Sequence, residues 1–179
     1  MLMKAETSSL LVIDVQERLA PAVHDVDRVV ENISVLMRAA LRLNIPQLVS
    51  EQYPKGLGVT VASLAYLSDQ PVAEKLSFSC MGDEEYVPRF KVLGRKQAVI
   101  VGMEAHVCVL QTAMDLRAED VQVFIVADAT SSRTPENHGL ALQRLKGAGA
   151  EIVSTEMVVF EWLGKAGTPE FKELSALIK

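Results

Sequence analysis

The stretch QAVIVGMEAHVCVLQTA, residues 97–113, joins a short buried strand to the start of a helix. Its first part, Gln97–Gly102, is almost entirely apolar, which is typical of a strand covered on both faces of a sheet. Its second part opens a segment of helical character, Ala105–Ala118, with a turn between the two elements. A buried strand followed directly by a helix favours a parallel sheet with helices packed on its faces.

The same alternation continues in both directions along the chain. Short apolar runs predict strands at Ser9–Asp14, Gln47–Ser50, Pro71–Leu76, Gln97–Gly102, Val121–Ala127 and Glu151–Ser154. The other segments predict helices at Asp25–Leu43, Val59–Leu67, Gly82–Phe90 (broken by Pro88), Ala105–Ala118, 135–146 and Pro169–Ile178, with a loop at Gly56 and Gly58. The predicted fold class is α/β: a three-layer, doubly wound sandwich around a six-stranded parallel sheet, in a single domain over residues 1–179.

Composition and charge exclude several classes of function. Lys and Arg total 18 and Asp and Glu total 23, so the net charge is −5, and the basic residues are scattered. This argues against binding to nucleic acid or to an anionic membrane surface. No apolar run approaches the ~18 residues of a membrane helix, and the N-terminus lacks the apolar core of a signal peptide. With only Cys80 and Cys108, a disulfide framework is excluded, and we expect a cytoplasmic protein.

Three polar residues lie where a doubly wound sheet binds its ligands, beyond the carboxyl ends of the strands. Asp14 ends the first predicted strand, Lys75 ends the third, and Cys108 lies in the first turn of the helix after the fourth. The helix macrodipole would lower the pKa of a thiol at this position. A carboxylate can accept the thiol proton as a general base, and an ammonium group can stabilise both anions. The three residues therefore form a hypothetical nucleophilic site.

Each of these residues also has a purely structural interpretation, which the residues alone leave open. Cys108 can be a small buried hydrophobe, Asp14 a turn residue after a strand, and Lys75 a solvated strand end. We interpret Cys80 as a buried hydrophobe. A Cys–His dyad is not supported, because His106 is two residues from Cys108 and points elsewhere on a helix. Phosphate-binding glycine loops and a G-x-S-x-G turn are absent from the sequence.

The chain resembles the isochorismatase-like cysteine hydrolases, a superfamily that includes nicotinamidases. The resemblance rests on LLVIDVQ (10–16), Glu74-Lys75, VGMEAHVCVLQTA (101–113) and DATSSRTPENH (128–138), while EQYPKGLG (51–58) is similar to the subgroup of isochorismatase domain-containing proteins. It implies a catalytic triad of Cys108, Asp14 and Lys75. It also implies an oxyanion hole formed by the backbone N–H groups of Glu104 and Cys108, with a cis peptide bond between Met103 and Glu104.

The resemblance also sets expectations for metals and for assembly. Nicotinamidases carry an Asp-x-His metal motif where this chain has Ser50-Glu51-Gln52-Tyr53, so we expect no metal and no cofactor. True isochorismatases lack the nucleophilic cysteine, so Cys108 argues against hydrolysis of a vinyl ether. The family commonly forms homo-oligomers. The apolar stretch Met157–Leu163 is either an interface or a core helix.

The leading hypothesis is a metal-independent cysteine hydrolase that cleaves an amide-type C–N bond of a small neutral substrate through a thioester. By position, its pocket would be lined by Gln16, Leu19, Tyr53 and Phe78. The alternative is a non-catalytic interaction or scaffold protein that keeps the fold and a vestigial triad, because a fold alone does not establish a function. A third hypothesis is a redox sensor that uses the Cys108 thiol.

Overall fold

The protein is described by a computed structural model, which covers residues 1–68 and 70–178. In these residues six parallel strands form one sheet of order β3-β2-β1-β4-β5-β6. The strands are β1 (Ser8–Ile13), β2 (Gln47–Gln52), β3 (Ala73–Lys75), β4 (Gln97–Met103), β5 (Gln122–Ser131) and β6 (Glu151–Val153). The predicted α/β class and doubly wound, six-stranded parallel sheet are confirmed.

Helices connect the strands and follow the last one. They are α1 (Val26–Arg42), α2 (Pro54–Leu57), α3 (Ala62–Ala65), α4 (Tyr86–Leu93), α5 (Leu110–Ala118), α6 (Pro135–Gly147), α7 (Thr155–Leu163) and α8 (Pro169–Ser175). A π-helical turn, Ala105–Val109, precedes α5, and short 3₁₀ turns occupy Ala20–Ala22, Cys80–Gly82 and Ala176–Ile178. Across the described residues, the helices are too short or too polar to span a bilayer.

The sheet separates two apolar cores. Because side chains alternate along a strand, Leu10 and Val12 of β1 face one core, and Leu11 and Ile13 face the other. The first core packs the sheet against α1 and α7, and the second packs it against α4, α5 and α6. Both faces of the central strands are therefore buried, which explains their continuous apolar sequences.

The order of the strands reverses between β1 and β4, which are adjacent and parallel. From β1 the chain adds β2 and β3 on one side of the sheet, and then β4, β5 and β6 on the other. Ligands of doubly wound sheets bind in the crevice at such a switch point. Gly102 of β4 lies beside Ile13 of β1 with a φ of 137°, and a Cβ atom there would be 2.1 Å from the Ile13 carbonyl oxygen. A residue without a side chain is required here, because it lets the two strands approach at the point where the crevice begins.

Two helices differ from the prediction for identifiable reasons. The segment Gly82–Phe90 was expected to be a helix broken at Pro88, but α4 begins at Tyr86 and continues through Pro88. Pro88 is the third residue of α4, where the backbone N–H has no partner within the helix, so proline is tolerated. The predicted helix Ala105–Ala118 is divided into the π-helical turn and α5. Cys108 therefore lies in a π-helical turn rather than in the first turn of a regular helix.

The region after β2 also differs from the prediction. The glycine-containing loop includes the short helix α2, which Tyr53 precedes in a left-handed conformation with a φ of 39°. The predicted helix Val59–Leu67 is reduced to α3, four residues long. Both helices are single turns, which a pattern of apolar residues cannot specify because one turn contains too few positions.

The stretch Met157–Leu163 belongs to α7, and one side of this helix is part of the core. Val158, Val159 and Trp162 are buried, whereas Met157 and Phe160 are 46% and 43% exposed. The Phe160 ring also lies against Phe171 of α8, with 6.3 Å between the ring centroids. The core-helix interpretation thus holds for the buried side of α7. Homo-oligomerisation stays a prediction.

Candidate active site

Asp14, Lys75 and Cys108 come together at the carboxyl edge of the sheet. Asp14 follows β1, Lys75 ends β3, and Cys108 lies in the π-helical turn after β4. The Lys75 Nζ is 2.8 Å from Asp14 Oδ2, and both side chains are fully buried. Cys108 is 5% exposed, and the negative charge of Asp14 acts on its thiol. The three residues that the sequence singled out therefore form one buried cluster.

Asp14 is held by β2 through both its backbone and its side chain. Its backbone is left-handed, with a φ of 53°, a conformation that costs a non-glycine residue about 1–3 kcal/mol. The Asp14 N–H donates to the Ser50 carbonyl oxygen at 3.1 Å, and the Ser50 hydroxyl donates to Asp14 Oδ1 at 2.8 Å. Since Oδ2 accepts from Lys75, both carboxylate oxygens have a partner.

The ammonium group of Lys75 is surrounded by oxygen atoms. Its three N–H groups are shared among four acceptors: Asp14 Oδ2 (2.8 Å), Gln52 Oε1 (2.7 Å) and the carbonyl oxygens of Ser77 (3.2 Å) and Phe78 (3.1 Å). Burial is the strongest influence on the pKa of Lys75 and lowers it, but the charge and hydrogen bond of Asp14, together with the neighbouring Cys80 and Cys108, outweigh burial and raise the pKa above its usual value. Lys75 is therefore a fixed cation that ties β3 and the loop after it to Asp14.

The pKa of the Cys108 thiol is raised, so the expectation of a lowered pKa is wrong. Burial is the largest cause, and the Asp14 carboxylate adds to it by its charge and by a hydrogen bond, while Lys75 opposes the shift only in part. The thiol also lies 4.0 Å from Gln52 Oε1. Because the π-helical turn holds the sulfur in a dry site beside an anion, the macrodipole does not decide its ionisation. The resting sulfur is protonated.

Glu104 forms the turn between β4 and the cysteine. It adopts a left-handed conformation with a φ of 59°, and its carboxylate accepts two hydrogen bonds from Arg133, at 3.0 and 3.1 Å. The Met103–Glu104 peptide bond is trans, so the expected cis bond is wrong. The left-handed residue, held by the two-pronged contact with Arg133, redirects the chain instead. The oxyanion hole of Glu104 and Cys108 N–H groups stays a prediction.

The four predicted pocket residues fall into two groups. Gln16 is fully buried, and its side chain bonds to the backbone of Gln52 and Gly58, while Leu19 is part of an apolar core. Neither side chain lines the cavity beside Lys75, and the assignment of both residues to a substrate pocket stays a prediction. Tyr53 and Phe78 are 51% and 55% exposed, and the Phe78 backbone carbonyl contacts Lys75.

A cavity of about 830 Å³ opens beside Lys75 and is also lined by Tyr53. Its acidic lining residues are Glu74, Asp83, Glu84 and Glu85, and its basic ones are Lys55, Lys75 and Arg89. Because the charge of Lys75 is already paired with Asp14, the remaining charges of the rim are net negative. Of the three residues in the buried cluster, Lys75 lines this cavity, and Asp14 and Cys108 do not.

Two further residues of the cluster were missed by sequence reasoning. Ser50 and Gln52 of β2 bind Asp14 and Lys75, and neither was predicted from the sequence as a residue of the site. The sequence contained a signal for both, because they are polar residues at the carboxyl end of β2, and β2 lies between the strand that Asp14 follows and the strand that Lys75 ends. Residues 1–68 and 70–178 contain no group of three or more His, Cys, Asp or Glu side chains that could hold a metal ion.

The isochorismatase domain family matches residues 8–157 of the chain. Isochorismatase domain-containing protein 2 of Danio rerio is 41% identical over 172 residues, which cover 96% of this chain and 86% of that protein. The secreted isochorismatase effector Isc1 of Phytophthora sojae is 39% identical over 178 residues, which cover 97% of this chain and 85% of that protein.

A solved structure shows the same relationship in three dimensions. The MAR1 ribonuclease of Caenorhabditis elegans superposes with a TM-score of 0.93 at 35% sequence identity, over 99% of this chain and 92% of that chain. The family match spans residues 8–157, which include Asp14, Lys75 and Cys108, and the two relatives cover 97% and 96% of the chain. The chain therefore belongs to the isochorismatase-like hydrolase family, as its resemblance predicted.

Proposed function

We propose that this chain is a metal-independent cysteine hydrolase that cleaves an amide-type C–N bond of a small neutral substrate. The observation that carries the proposal is the fully buried ion pair of Asp14 and Lys75, 2.8 Å apart, beside the buried thiol of Cys108. Burying two charges costs several kcal/mol of desolvation, which apolar residues of similar size would avoid. Perturbed ionisable groups at a ligand-binding edge are typical of active sites.

The first half of the reaction forms a thioester. Because the pKa of the Cys108 thiol is raised, Asp14 takes the proton as Sγ attacks the substrate carbonyl carbon, and no free thiolate accumulates beforehand. The carbonyl oxygen becomes an oxyanion, which the N–H groups of Glu104 and Cys108 stabilise. Each such donor contributes roughly 10²–10³ in rate. The intermediate collapses, the C–N bond breaks, and Asp14 returns its proton to the leaving nitrogen.

The second half of the reaction releases the acid. Asp14 takes a proton from water, and the water oxygen attacks the thioester carbonyl carbon. When this intermediate collapses, the carbon–sulfur bond breaks, and the proton on Asp14 returns to the Cys108 sulfur. The substrate is thus converted into a carboxylic acid and an amine or ammonia, and the enzyme regains its thiol and its carboxylate.

Lys75 acts on the reaction through Asp14. Its ammonium group already contacts four oxygen atoms of the protein, so it has no hydrogen-bonding capacity left for a substrate. Its raised pKa keeps the positive charge in place while Asp14 alternates between its two protonation states. We therefore assign the general-base role to Asp14 and the role of its permanent counter-ion to Lys75.

A small neutral substrate fits the charges of the site better than RNA does. The C. elegans neighbour is described as a ribonuclease, but here the rim of the cavity carries Glu74, Asp83, Glu84 and Glu85. Carboxylates at the rim repel phosphate groups, and the whole chain has a net charge of −5. We therefore expect binding to a small molecule, with no nucleic acid and no membrane as partner.

The test is ammonia or amine release from a panel of small amides by the wild type and by Cys108→Ala. We expect the substitution to abolish turnover, because the nucleophile is removed, while the free energy of unfolding changes by about 1 kcal/mol or less. Ser9→Ala, which alters a fully buried serine of β1 outside the cluster, is the control and should keep wild-type activity. Turnover by Cys108→Ala would contradict the mechanism, and an inactive wild type would favour the scaffold alternative.

Three wider expectations accompany this proposal. A single domain over residues 1–179, a cytoplasmic location and assembly into a homo-oligomer remain predictions for this chain. The half-exposed Met157 and Phe160 of α7 supply apolar surface for assembly. Light scattering on the purified protein would measure the number of subunits, and a monomer at micromolar concentration would contradict the expected oligomer.

A further inference from the structure

A line of buried polar groups extends behind the Asp14 carboxylate. Ser50 and Cys80 are both 0% exposed, and Tyr86 is fully buried beside them. Cys80 and Tyr86 belong to the apolar core that packs β1 against α4 and α5. Polar groups in such a core are costly unless they are hydrogen-bonded, so their arrangement needs an explanation beyond packing.

Ser50 contacts Asp14 in two ways. It is paired in register with Ile13 on the adjacent strand, which places it level with the end of β1. Its carbonyl oxygen accepts from the Asp14 N–H, and its hydroxyl donates to Asp14 Oδ1 at 2.8 Å. One residue therefore fixes both the left-handed backbone of Asp14 and the rotation of its carboxylate.

The direction of these hydrogen bonds follows from the number of protons available. The Asp14 carboxylate in its ion pair with Lys75 can only accept, so the single hydroxyl proton of Ser50 is donated to it. The Ser50 oxygen is left to accept, and the Cys80 Sγ lies 3.6 Å away. Burial raises the pKa of Cys80 to about 11, so near neutral pH its thiol keeps a proton to donate. The line is thus directed from the Cys80 thiol to the Asp14 carboxylate.

Tyr86 closes the far end of this line. Its hydroxyl lies beside the Cys80 side chain, and burial, together with the negative charge of Asp14, raises the pKa of Tyr86. The phenol therefore stays protonated and adds no negative charge behind Cys80. The electrostatic environment of the Cys80 thiol favours donation toward Ser50.

We infer that Ser50, supported by Cys80, is a positioning residue that fixes the Asp14 carboxylate so that it can receive the Cys108 proton. The inference rests on the proposed function of this site. Lys75 holds Oδ2 and Ser50 holds Oδ1, so the carboxylate cannot rotate about its own axis. Without the Ser50 donor, the carboxylate is fixed at one oxygen only, and its remaining lone pairs no longer keep a constant direction toward the sulfur.

The experiment compares Ser50→Ala with Ser50→Thr, and uses Ser9→Ala as the matched control. Ser50→Ala should lower kcat about 10- to 100-fold with little change in KM, since misplaced catalytic groups cost this much. Ser50→Thr keeps the hydroxyl and should restore most of the rate. Ser9→Ala removes an equally buried hydroxyl from the same sheet, where it bonds to the Gln97 carbonyl, and should leave kcat unchanged.

A second readout does not depend on turnover. The rate at which iodoacetamide alkylates Cys108 at pH 9, measured by peptide mass spectrometry, reports the transfer of the thiol proton. We expect Ser50→Ala to slow this reaction about tenfold, and Ser50→Thr and Ser9→Ala to leave it near the wild-type rate. An unchanged rate in Ser50→Ala would overturn the inference.

Cys80 provides a second pair of variants in case Ser50→Ala does not fold. Cys80→Ser keeps a donor beside Ser50, and Cys80→Ala removes it. We expect Cys80→Ala to lower kcat and the Cys108 alkylation rate about two- to fivefold, because the lost donor is weak, and Cys80→Ser to keep both. Equal rates in the two variants would overturn the role of Cys80.

The outcomes separate this inference from the proposed function. A wild type that releases neither ammonia nor amine, together with slow alkylation in Ser50→Ala alone, would reject the hydrolase and retain Ser50 as the positioning residue. An active wild type with an equally active Ser50→Ala would retain the hydrolase and reject the role of Ser50.

Discussion

Polar side chains are buried at both the amino ends and the carboxyl ends of the parallel strands, but the two sets differ in charge. At the amino edge, Gln97 accepts from the hydroxyls of Thr7 and Ser8 and donates to the Leu2 carbonyl and to Gln122. All of these groups are neutral. At the carboxyl edge, Ser50 and Gln52 surround the buried ion pair of Asp14 and Lys75. We call these groups the amino-edge cluster and the carboxyl-edge cluster.

The difference indicates what the fold itself requires. The amino-edge cluster joins the starts of β1, β4 and β5 with hydroxyl and amide groups alone, and Trp162 of α7 adds a donor to Ser8 at 3.1 Å. Neutral groups are therefore sufficient to connect neighbouring strands of this sheet. The charges of the carboxyl-edge cluster exceed that requirement, and a buried ion pair is weak evidence for a stabilising role.

The largest expected effect comes from removing one charge of the carboxyl-edge cluster. Lys75→Met leaves the Asp14 carboxylate buried without its counter-ion, and we expect the free energy of unfolding to fall by about 3–5 kcal/mol. Urea denaturation at pH 7 measures this loss. The double variant with Asp14→Asn removes both charges and should recover most of the stability. A loss below about 1 kcal/mol in Lys75→Met would show that the two edges differ little in energy.

A smaller effect is expected at the amino-edge cluster. Gln97→Leu removes the hydrogen bonds that Gln97 makes with Thr7, Ser8 and Gln122, and should cost about 1–3 kcal/mol in the free energy of unfolding. Since Gln97 lies at the opposite end of β4 from the Cys108 turn, amide turnover by the folded variant should equal that of the wild type. A decrease in kcat without a decrease in stability would contradict the separation of the two edges.

The smallest expected effect is a loss of stability at alkaline pH through Cys80. Burial raises its pKa in the folded chain from 9.0 to about 11, so the unfolded state loses this proton first as the pH rises. The stabilisation is fully present below pH 9 and is lost between pH 9 and about 11, by about 1.4 kcal/mol at pH 10. Cys80→Ser, which does not titrate, should lack this loss in urea denaturation at pH 8 and 10. Equal alkaline losses in both proteins would show that the Cys80 thiol is not held protonated.

The sheet was predictable from sequence because its central strands are buried on both faces. β4 and β5 carry continuous apolar runs that no other element of this chain matches, and they fixed the fold class. The π-helical turn before α5 was not predictable, since the apolar pattern of Ala105–Ala118 is compatible with an unbroken helix. The location of the π-helical turn depends on the packing of β4 against the start of α5, which is a property of the tertiary structure.

The sequence pointed to three residues that the structure brings together, but not to the electrostatics of their cluster. Asp14, Lys75 and Cys108 were recognisable because polar residues at strand ends are not needed for packing the sheet. The sign of the Cys108 pKa shift was predicted wrongly, because it depends on the burial of the sulfur and on its proximity to Asp14. Both are properties of the tertiary structure. The contact of Gln52 with Lys75 was not predicted, because it depends on how β2 and β3 pair in the folded sheet.

Gly102 affects how closely the Asp14 carboxylate and the Cys108 thiol can approach each other. Because it has no side chain, β4 lies close enough to β1 that a methyl group would collide with the Ile13 carbonyl. Asp14 is the next residue after Ile13, and the turn that carries Cys108 begins shortly after Gly102. An alanine at this position would leave every reactive atom present and chemically intact, yet it would push the two strands apart. The distance between the Asp14 carboxylate and the Cys108 sulfur therefore depends on the absence of a side chain at Gly102.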